Sequence, residues 1–221
     1  MNRAQQAASG RPEKTSTLQT GPYKLSFTAA SLFIADSVKI ASVYLRTNDW
    51  GEAKARIEDH NILQYDTASS SIRISRELRQ RLKTLTKDQL ELLAEGTQPE
   101  QKQLLWLSVC KCYSFIREFA IEVLRERFLT MDLELTDLDY DAFFNRKADW
   151  HEELDELKKT TRSKLKQVLF RMLREADLIS EDQAIIPATL SRRMLEVLQP
   201  DAPMSFEIFP VSSASLLGAQ R

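Results

Sequence analysis

The segment from residue 99 to residue 128 places the strongest constraint on the fold of this 221-residue chain. Read at helical spacing, its apolar residues occupy nearly every face, and they are Leu104, Leu105, Trp106, Leu107, Val109, Tyr113, Phe115, Ile116, Phe119, Val123, Leu124 and Phe128. A helix that is apolar almost all round is usually surrounded by other elements. Charged residues interrupt the run between 111 and 122, and they would be costly inside a bilayer. We therefore expect a long buried helix at the centre of a core, and no membrane span.

The rest of the chain also reads as helices separated by capping signals. Asp49 with Glu52, Thr86 with Gln89, and Thr136 with Asp139 have the spacing of capping boxes. Gly96 stands where a helix C-cap is expected, and Thr160 or Thr161 is the expected cap of a later helix. Residues 178–186 place apolar pairs on either side of a polar turn, which is typical of a short β-hairpin, and residues 206–211 are expected to form a terminal strand.

These patterns predict a mostly α-helical globular protein with helix-turn-helix or winged-helix-like modules, a long central buried helix and a minor β-hairpin near the C-terminus. The predicted organisation is a disordered tail (1–22), an N-terminal helical module with a helix-turn-helix-like region (23–96), a central helix (97–130), a C-terminal winged-helix-like module (131–211) and a flexible tail (212–221).

Composition argues against enzymatic and metal chemistry. Only five glycines are present, and no nucleotide-binding glycine loop or nucleophile-elbow motif can be found. Two cysteines, Cys110 and Cys112, and two histidines, His60 and His151, cannot supply a zinc cluster. The acidic run 132–141 lacks the glycine and the terminal Glu of a calcium loop, so helix capping is its expected role. We expect no catalytic residue, metal or cofactor, a cytoplasmic location, and a core role for Trp50, Trp106 and Trp150.

A strongly basic segment in the C-terminal half is the first candidate functional site. Seven cations and no carboxylate occur between residues 158 and 174, although Lys+Arg (31) and Asp+Glu (32) balance over the chain. Together with hydroxyl and amide side chains, this helix could contact a duplex, as the third helix of a winged helix-turn-helix does. The candidate DNA-binding residues here are Lys158, Lys159, Thr160, Thr161, Arg162, Ser163, Lys164, Lys166, Gln167, Arg171 and Arg174.

A second candidate lies in the N-terminal half, on a helix that follows the hydroxyl-rich residues 67–71. Positions 73, 76, 80 and 83 form one polar stripe, and Arg79 and Arg81 add charge. The candidate DNA-binding residues here are Ser70, Ser71, Arg73, Arg76, Gln80 and Lys83. A solvent-exposed helix face explains this pattern equally well, whereas for residues 158–174 the absence of acidic residues favours nucleic-acid contact.

Several segments of the chain resemble the BrxA family of bacteriophage-exclusion (BREX) defence systems. The segments are 23–29, 49–50, 70–78, 104–111, 139–144, 150–154 and 164–176, so the resemblance covers about residues 23–211. It implies a non-enzymatic, mostly α-helical protein that binds double-stranded DNA as an accessory of a phage-resistance system. The family has also been compared in fold with the RNA-binding antitermination factor NusB.

Two other functions remain open on the sequence alone. The basic helices could dock onto acidic surfaces of other BREX proteins, which would make the chain a protein-interaction module. A NusB-like RNA-binding role is the other alternative. Double-stranded DNA is the partner that the sequence favours. The expected phosphate contacts are Lys158, Lys159, Arg162, Lys164 and Lys166, and Arg73, Arg76, Gln167 and Arg171 could reach base edges.

Overall fold

Helices build the fold in residues 21–29 and 31–212, which are the residues that this structure, a computed structural model, describes. No strand forms within these ranges, and β-pairing is limited to two isolated antiparallel bridges, between Glu134 and Ala184 and between Ile179 and Ile185. The mostly helical prediction is therefore confirmed. The predicted tails fall largely on residues 1–20 and 213–221, which lie outside the described residues.

The N-terminal half contains a short 3-10 turn, Ser26–Ala29, and four helices: α1 (Ile34–Thr47), α2 (Trp50–Asp59), α3 (Ala68–Leu82) and α4 (Lys87–Glu95). Helix α1 packs against the other three. The predicted caps are formed at Asp49, which accepts a hydrogen bond from the Glu52 N–H at 2.7 Å, and at Thr86, which makes a full capping box with Gln89. These caps fix where α2 and α4 begin, because they satisfy N–H groups that a helix start leaves free.

Gly96 ends α4 as predicted, but not for the usual reason. Its φ is −72°, so the position does not need the left-handed conformation that favours glycine. Instead, a Cβ atom here would lie 2.4 Å from the Leu92 carbonyl oxygen. Close backbone approach, rather than dihedral freedom, is what excludes a side chain.

The central segment is helical and buried, but it is not one continuous helix. It consists of α5 (Gln98–Cys112), α6 (Ser114–Phe119), a π-helical turn (Ala120–Arg125) and α7 (Glu126–Leu129). Tyr113 interrupts it with extended dihedrals, φ −128° and ψ 99°. The Tyr113 side chain is fully buried and its hydroxyl donates to Glu77 of α3. A tertiary contact therefore overrides the local helical preference at this residue.

The C-terminal half contains α8 (Asp137–Ala148), α9 (Glu152–Asp155), α10 (Lys159–Glu175), α11 (Arg192–Leu198), the 3-10 turn Gln199–Asp201 and α12 (Met204–Glu207). The predicted hairpin at 178–186 is a tight turn held by single bridges, and its Ile185 N–H donates to the Leu133 carbonyl oxygen at 2.7 Å. It pairs partly with residues 133–135, so no two-stranded ladder develops. The predicted terminal strand at 206–211 is wrong, because its first residues belong to α12.

The core sits around α5 and α6. Trp106 is fully buried and its Nε1–H donates to the Ile208 carbonyl oxygen at 2.9 Å, which ties α5 to the C-terminal end of the described chain. Phe115 and Phe119 contact the rings of α8. The prediction of a core role for Trp150 is wrong, because this side chain is 82% exposed. No helix in the described residues is long and apolar enough to cross a bilayer.

Candidate nucleic-acid interface

Helix α10 is positioned by an apolar stripe that the sequence predicted. Leu165, Val168, Leu169, Met172 and Leu173 are all buried, and the opposite face is left to polar residues. The helix begins one residue after Lys158, whose backbone takes the N-cap conformation without a side-chain acceptor. The expected cap at Thr160 or Thr161 is therefore wrong, since both lie inside the first turn.

Of the seven cations in residues 158–174, which are the N-cap Lys158 and six residues of α10, three are held by carboxylates of the same chain. Arg162 lies 3.2 Å from Asp141 and its guanidinium carbon lies 4.2 Å from the centre of the Phe144 ring. Lys166 lies 2.8 Å from Asp137 and 3.7 Å from Asp141. Arg174 approaches Glu181 at 3.7 Å, in the turn that replaces the predicted hairpin. These charges are partly neutralised, which the sequence did not reveal.

The other four cations, which we call the open cations, are the N-cap residue Lys158 and, within α10, Lys159, Lys164 and Arg171. All four are exposed, and none has an ion pair within residues 21–29 and 31–212. Thr160, Ser163 and Gln167 are exposed as well, and Thr161 is half-buried. The outer face of α10 thus offers positive charge together with neutral hydrogen-bonding groups.

Helix α3 presents a second polar stripe, as predicted. Arg73, Arg76, Gln80 and Lys83 are exposed, and the two arginines have no ion pair within the described part of the chain. Lys83 lies 5.8 Å from the Trp50 ring. The two candidate hydroxyls differ from one another: Ser70 is half-buried, whereas Ser71 is buried with 6% exposure and cannot reach a ligand at the surface.

Arg79 and Arg81 of α3 point into the protein. On the sequence alone, both count as surface charge. Arg81 is 2% exposed; its Nε donates to Glu77 at 2.9 Å and its Nη1 donates to the Ser31 carbonyl oxygen at 2.7 Å. Arg79 approaches Glu58 at 3.7 Å, and burial lowers the pKa of its guanidinium. Both arginines hold elements together, so α3 carries less surface charge than its composition indicates.

A groove of about 340 Å³ opens beside the polar stripe of α3. Its walls are the polar side chains of Arg73, Arg76, Glu77 and Gln80, and the apolar side chains of Phe33 and Ile74. Phe33 adopts a left-handed backbone conformation, φ 50° and ψ 54°, which is uncommon for a bulky residue. The sequence contained no signal for this groove, because its two walls are about 40 residues apart in the chain.

One short segment connects the two basic helices. The 3-10 turn Ser26–Ala29 lies against α10, while Ser26 also lines the groove beside α3. The Leu32 N–H donates to Glu175 at the end of α10 at 2.6 Å, and the Ser31 carbonyl oxygen accepts from Arg81 of α3. Residues 26–29 and 31–33 therefore fix the two candidate sites relative to each other, although the two sites come from opposite halves of the chain.

The acidic run 132–141 acts as a structural element. Asp139 completes the capping box of α8 with Thr136 and binds Arg127 at 2.5 Å. Burial raises the pKa of Asp139, but hydrogen bonds from Thr136 and the charge of Arg127 outweigh burial, so its pKa lies below the usual value. The described residues contain no group of His, Cys, Asp and Glu arranged to hold a metal ion.

Comparison with known proteins decides the family. The family model for BrxA matches residues 21–201, which is most of the chain and includes both basic helices. The chain belongs to the BrxA family. This agrees with the resemblance found in the sequence.

Two curated relatives carry the name of the family. The chain is 29% identical to the BREX protein BrxA of Bacillus cereus (strain H3081.97) over 154 residues, which are 70% of this chain and 77% of the relative. It is 25% identical to the BREX protein BrxA of Escherichia coli O9:H4 (strain HS) over 182 residues, 76% and 85% of the two chains. These matches support a component of a BREX phage-defence system.

A solved structure has the same fold. The crystal structure of an uncharacterized protein from Magnetospirillum magneticum superposes with a TM-score of 0.74 over 86% of this BrxA-family chain and 100% of the other, at 20% sequence identity. At this identity the likeness concerns the fold alone.

Proposed function

We propose that this BrxA-family protein is a non-enzymatic accessory of its BREX system that binds double-stranded DNA through the outer face of α10. The open cations contact phosphates, and Gln167 and Arg171 lie on the face that enters a groove. The polar stripe of α3 adds contacts where one duplex reaches both helices. The single observation that carries the proposal is the set of four exposed cations on α10 that no carboxylate of the described chain neutralises.

The position of α10 supports this role without a complete winged helix. The helix N-terminus has free N–H groups and no side-chain cap, which favours a phosphate there. At the other end of the helix, Glu181 in the turn at 180–183 approaches Arg174 at 3.7 Å. No strands form in that part of the described chain, so this turn is not a two-stranded wing.

We expect the affinity for DNA to be modest and strongly dependent on salt. The chain carries a formal net charge of −1, so attraction comes from the local cations and not from the molecule as a whole. Asp137 and Asp141 compete with phosphate for Arg162 and Lys166. This competition lowers sequence-independent binding, and it leaves the open cations as the main source of affinity.

The test is a fluorescence-anisotropy titration of a labelled duplex at several salt concentrations. A variant with Lys158, Lys159, Lys164 and Arg171 all changed to Gln removes the open cations. A matched control removes the same charge from Lys54, Arg56, Lys87 and Arg192, which pair with carboxylates of their own helices. We expect the first variant to lose well over tenfold in affinity and to reduce the log–log salt slope by about 3 to 4, and the control to change little. Equal affinity of the first variant and the parent protein would sink the proposal.

A second candidate function is docking onto an acidic surface of another BREX protein. It is favoured by the fact that Arg162 and Lys166 already bind two carboxylates, so this face of α10 suits acidic partners too. Titrations with duplex DNA, a single strand and a structured RNA separate the candidates. The DNA proposal requires a preference for the duplex, whereas docking predicts negligible nucleic-acid affinity together with co-purification of another defence protein. A cytoplasmic location stays a prediction.

A further inference from the structure

The groove beside α3 has the size and chemistry of a site for a single nucleotide. Its volume of about 340 Å³ falls within the range of small-molecule sites. It combines two exposed arginines with two half-buried apolar side chains, Phe33 and Ile74. A flat solvent-exposed helix face would have only the first of these features.

The two arginines can converge on one phosphate. Arg73 and Arg76 are three residues apart on α3, which places their Cβ atoms about 5–6 Å apart on the same face. Neither forms an ion pair with a described residue, so both guanidinium groups keep their hydrogen-bond donors available. Guanidinium groups bind phosphate through paired N–H donors, and Gln80 on the next turn adds an amide donor.

The start of α1 adds favourable electrostatics at the same place. Phe33, which lines the groove, is the N-cap residue of this 14-residue helix, and it supplies no side-chain hydrogen bond to the first turn. Free N–H groups at a helix start favour a neighbouring anion. Phe33 adopts the left-handed backbone conformation, which is uncommon for a bulky residue, and its side chain lies on the groove wall.

The remaining groups suit a nucleoside. The Phe33 ring and the Ile74 side chain provide apolar surface on which a base can stack. Glu77 also lines the groove, and only one of its two carboxylate oxygens is used, by Arg81 and Tyr113. The other oxygen has no hydrogen-bond partner in the described part of the chain, so it can accept from a base N–H or a ribose hydroxyl.

We infer that this groove binds one nucleoside phosphate, with its phosphate on Arg73 and Arg76, its base against Phe33 and Ile74, and a base or sugar donor on Glu77. The same chemistry is offered by a free nucleotide and by an unpaired nucleotide at the end of a DNA strand. The inference shares Arg73 and Arg76 with the proposed DNA surface. It depends on that proposed function only if the nucleotide belongs to a strand.

The first arm of the test is isothermal titration calorimetry of the full chain with adenosine 5′-monophosphate, adenosine and inorganic phosphate. We expect the nucleotide to bind at least about tenfold more tightly than either part, since both ends of the groove are then used. Changing Arg73 and Arg76 to Gln should reduce nucleotide affinity by about tenfold or more. Changing Lys87 and Arg192 to Gln, which removes the same charge from helices outside both proposed sites, should leave it unchanged.

A conservative change separates base stacking from a general structural effect. Phe33→Leu keeps an apolar side chain and removes the ring, so nucleotide affinity should fall severalfold while inorganic phosphate binds as before. Thermal melting shows whether each variant is folded. If phosphate alone binds the parent protein as tightly as the nucleotide does, the nucleoside assignment is overturned.

The second arm distinguishes the two sources. A blunt duplex is compared with a duplex that carries one unpaired 5′-phosphorylated nucleotide, each with and without adenosine 5′-monophosphate as competitor. Tighter binding of the second duplex, lost on addition of competitor and in the Arg73/Arg76 variant, assigns the groove to a strand end. Binding of the free nucleotide alone assigns it to a small molecule. The inference is overturned if neither ligand shows binding that depends on the two arginines, whatever the α10 variants do to blunt duplex.

Discussion

Helices α3 and α10 look alike in sequence but use their cations in opposite ways. On α3, Arg81 and Arg79 turn inward and join elements of the fold, while Arg73 and Arg76 remain free at the rim of a groove. On α10, no cation is buried; three are paired at the surface with acidic side chains and four are open. The number of cations in a helix is therefore a poor measure of the charge that it offers to a partner.

The difference follows from the position of each helix. Helix α3 contacts α1, α2 and α5, so much of its circumference faces protein, and a long guanidinium side chain can reach backbone carbonyl groups there. Helix α10 buries a single apolar stripe and leaves the rest to solvent and to the carboxylates of α8. We expect changes at the inward arginines of α3 to affect stability first and changes at the open cations of α10 to affect binding first.

The largest expected effect is on stability, from Arg81→Ala. The substitution removes hydrogen bonds to Glu77 and to the Ser31 carbonyl oxygen and leaves the Glu77 carboxylate without its cation. The free energy of unfolding should fall by about 3 kcal/mol, measured by urea denaturation. The exposed neighbour Arg73→Ala is the control, with a change within about 0.5 kcal/mol. Similar values for the two variants would remove the contrast between the inward and outward arginines.

The next largest effect is on duplex affinity, which should depend more on the open cations than on the cations that are paired with carboxylates. Lys164 and Arg171 changed to Gln should weaken duplex binding by about tenfold and lower the salt slope by about 2. The same changes at Arg162 and Lys166 should have a smaller effect, because these side chains are already engaged by Asp137 and Asp141. Anisotropy titrations at several salt concentrations measure both pairs. A larger loss from the paired cations would show that duplex DNA displaces the carboxylates at little cost.

Removing the competing acids should act in the reverse direction. Asp137→Asn with Asp141→Asn frees Arg162 and Lys166 and removes two negative charges next to them. Duplex affinity should rise by about threefold, with a steeper salt dependence. The change of Asp88 and Glu91 of α4 to the corresponding amides is the matched control for net charge. An equal gain in both variants would mean that total charge, and not the pairing on α10, sets the affinity.

The smallest expected effect is the pH dependence of stability, which should differ between the start of α3 and the start of α8. The N-cap residue of α3 is Thr67, which does not titrate, whereas α8, the helix that supplies acidic partners to α10, begins with the capping box of Thr136 and Asp139. The pKa of Asp139 is lower in the native protein than in the unfolded chain, where it is about 3.9, so the native state binds fewer protons near that value. Its contribution is complete above the unfolded pKa and is lost as pH falls through the lower native pKa.

Urea denaturation between pH 6 and pH 3 measures this contribution. Asp139→Asn should lose about 0.5 kcal/mol at pH 6 and show a shallower decline in stability below pH 4. A decline parallel to that of the parent protein would assign the acid sensitivity to other carboxylates.

The sequence predicted features that depend on local spacing. The caps at Asp49, Thr86 and Thr136 and the buried stripe of α10 are confirmed, because each needs only a few residues within two helical turns. The polar stripe of α3 is also confirmed as an exposed face, whereas Ser71, a candidate contact in the first turn of the same helix, is buried. Binding of DNA by these residues stays a prediction.

Features that depend on contacts between distant segments were missed. The spacing of residues in the sequence does not indicate that Arg81 donates to the Ser31 carbonyl oxygen or that Lys166 pairs with Asp137. It also does not indicate that Phe33 and α3 line one groove. The sequence predicts a core position for Trp150 because no basic residues interleave with the three tryptophans, but this residue lies beyond the last residue of α8 and is 82% exposed. A single sequence gives the faces of a helix but not what lies opposite each face.

The break at Tyr113 has a mechanical consequence. An interruption between two helices is often a hinge, but the phenol ring here is enclosed by Phe27 and held by Glu77, which also accepts from Arg81. Bending at this point would have to open the core and separate three polar groups at once. The interruption therefore acts as a rigid elbow, and we expect the angle between α5 and α6 to stay the same whether or not a ligand is bound.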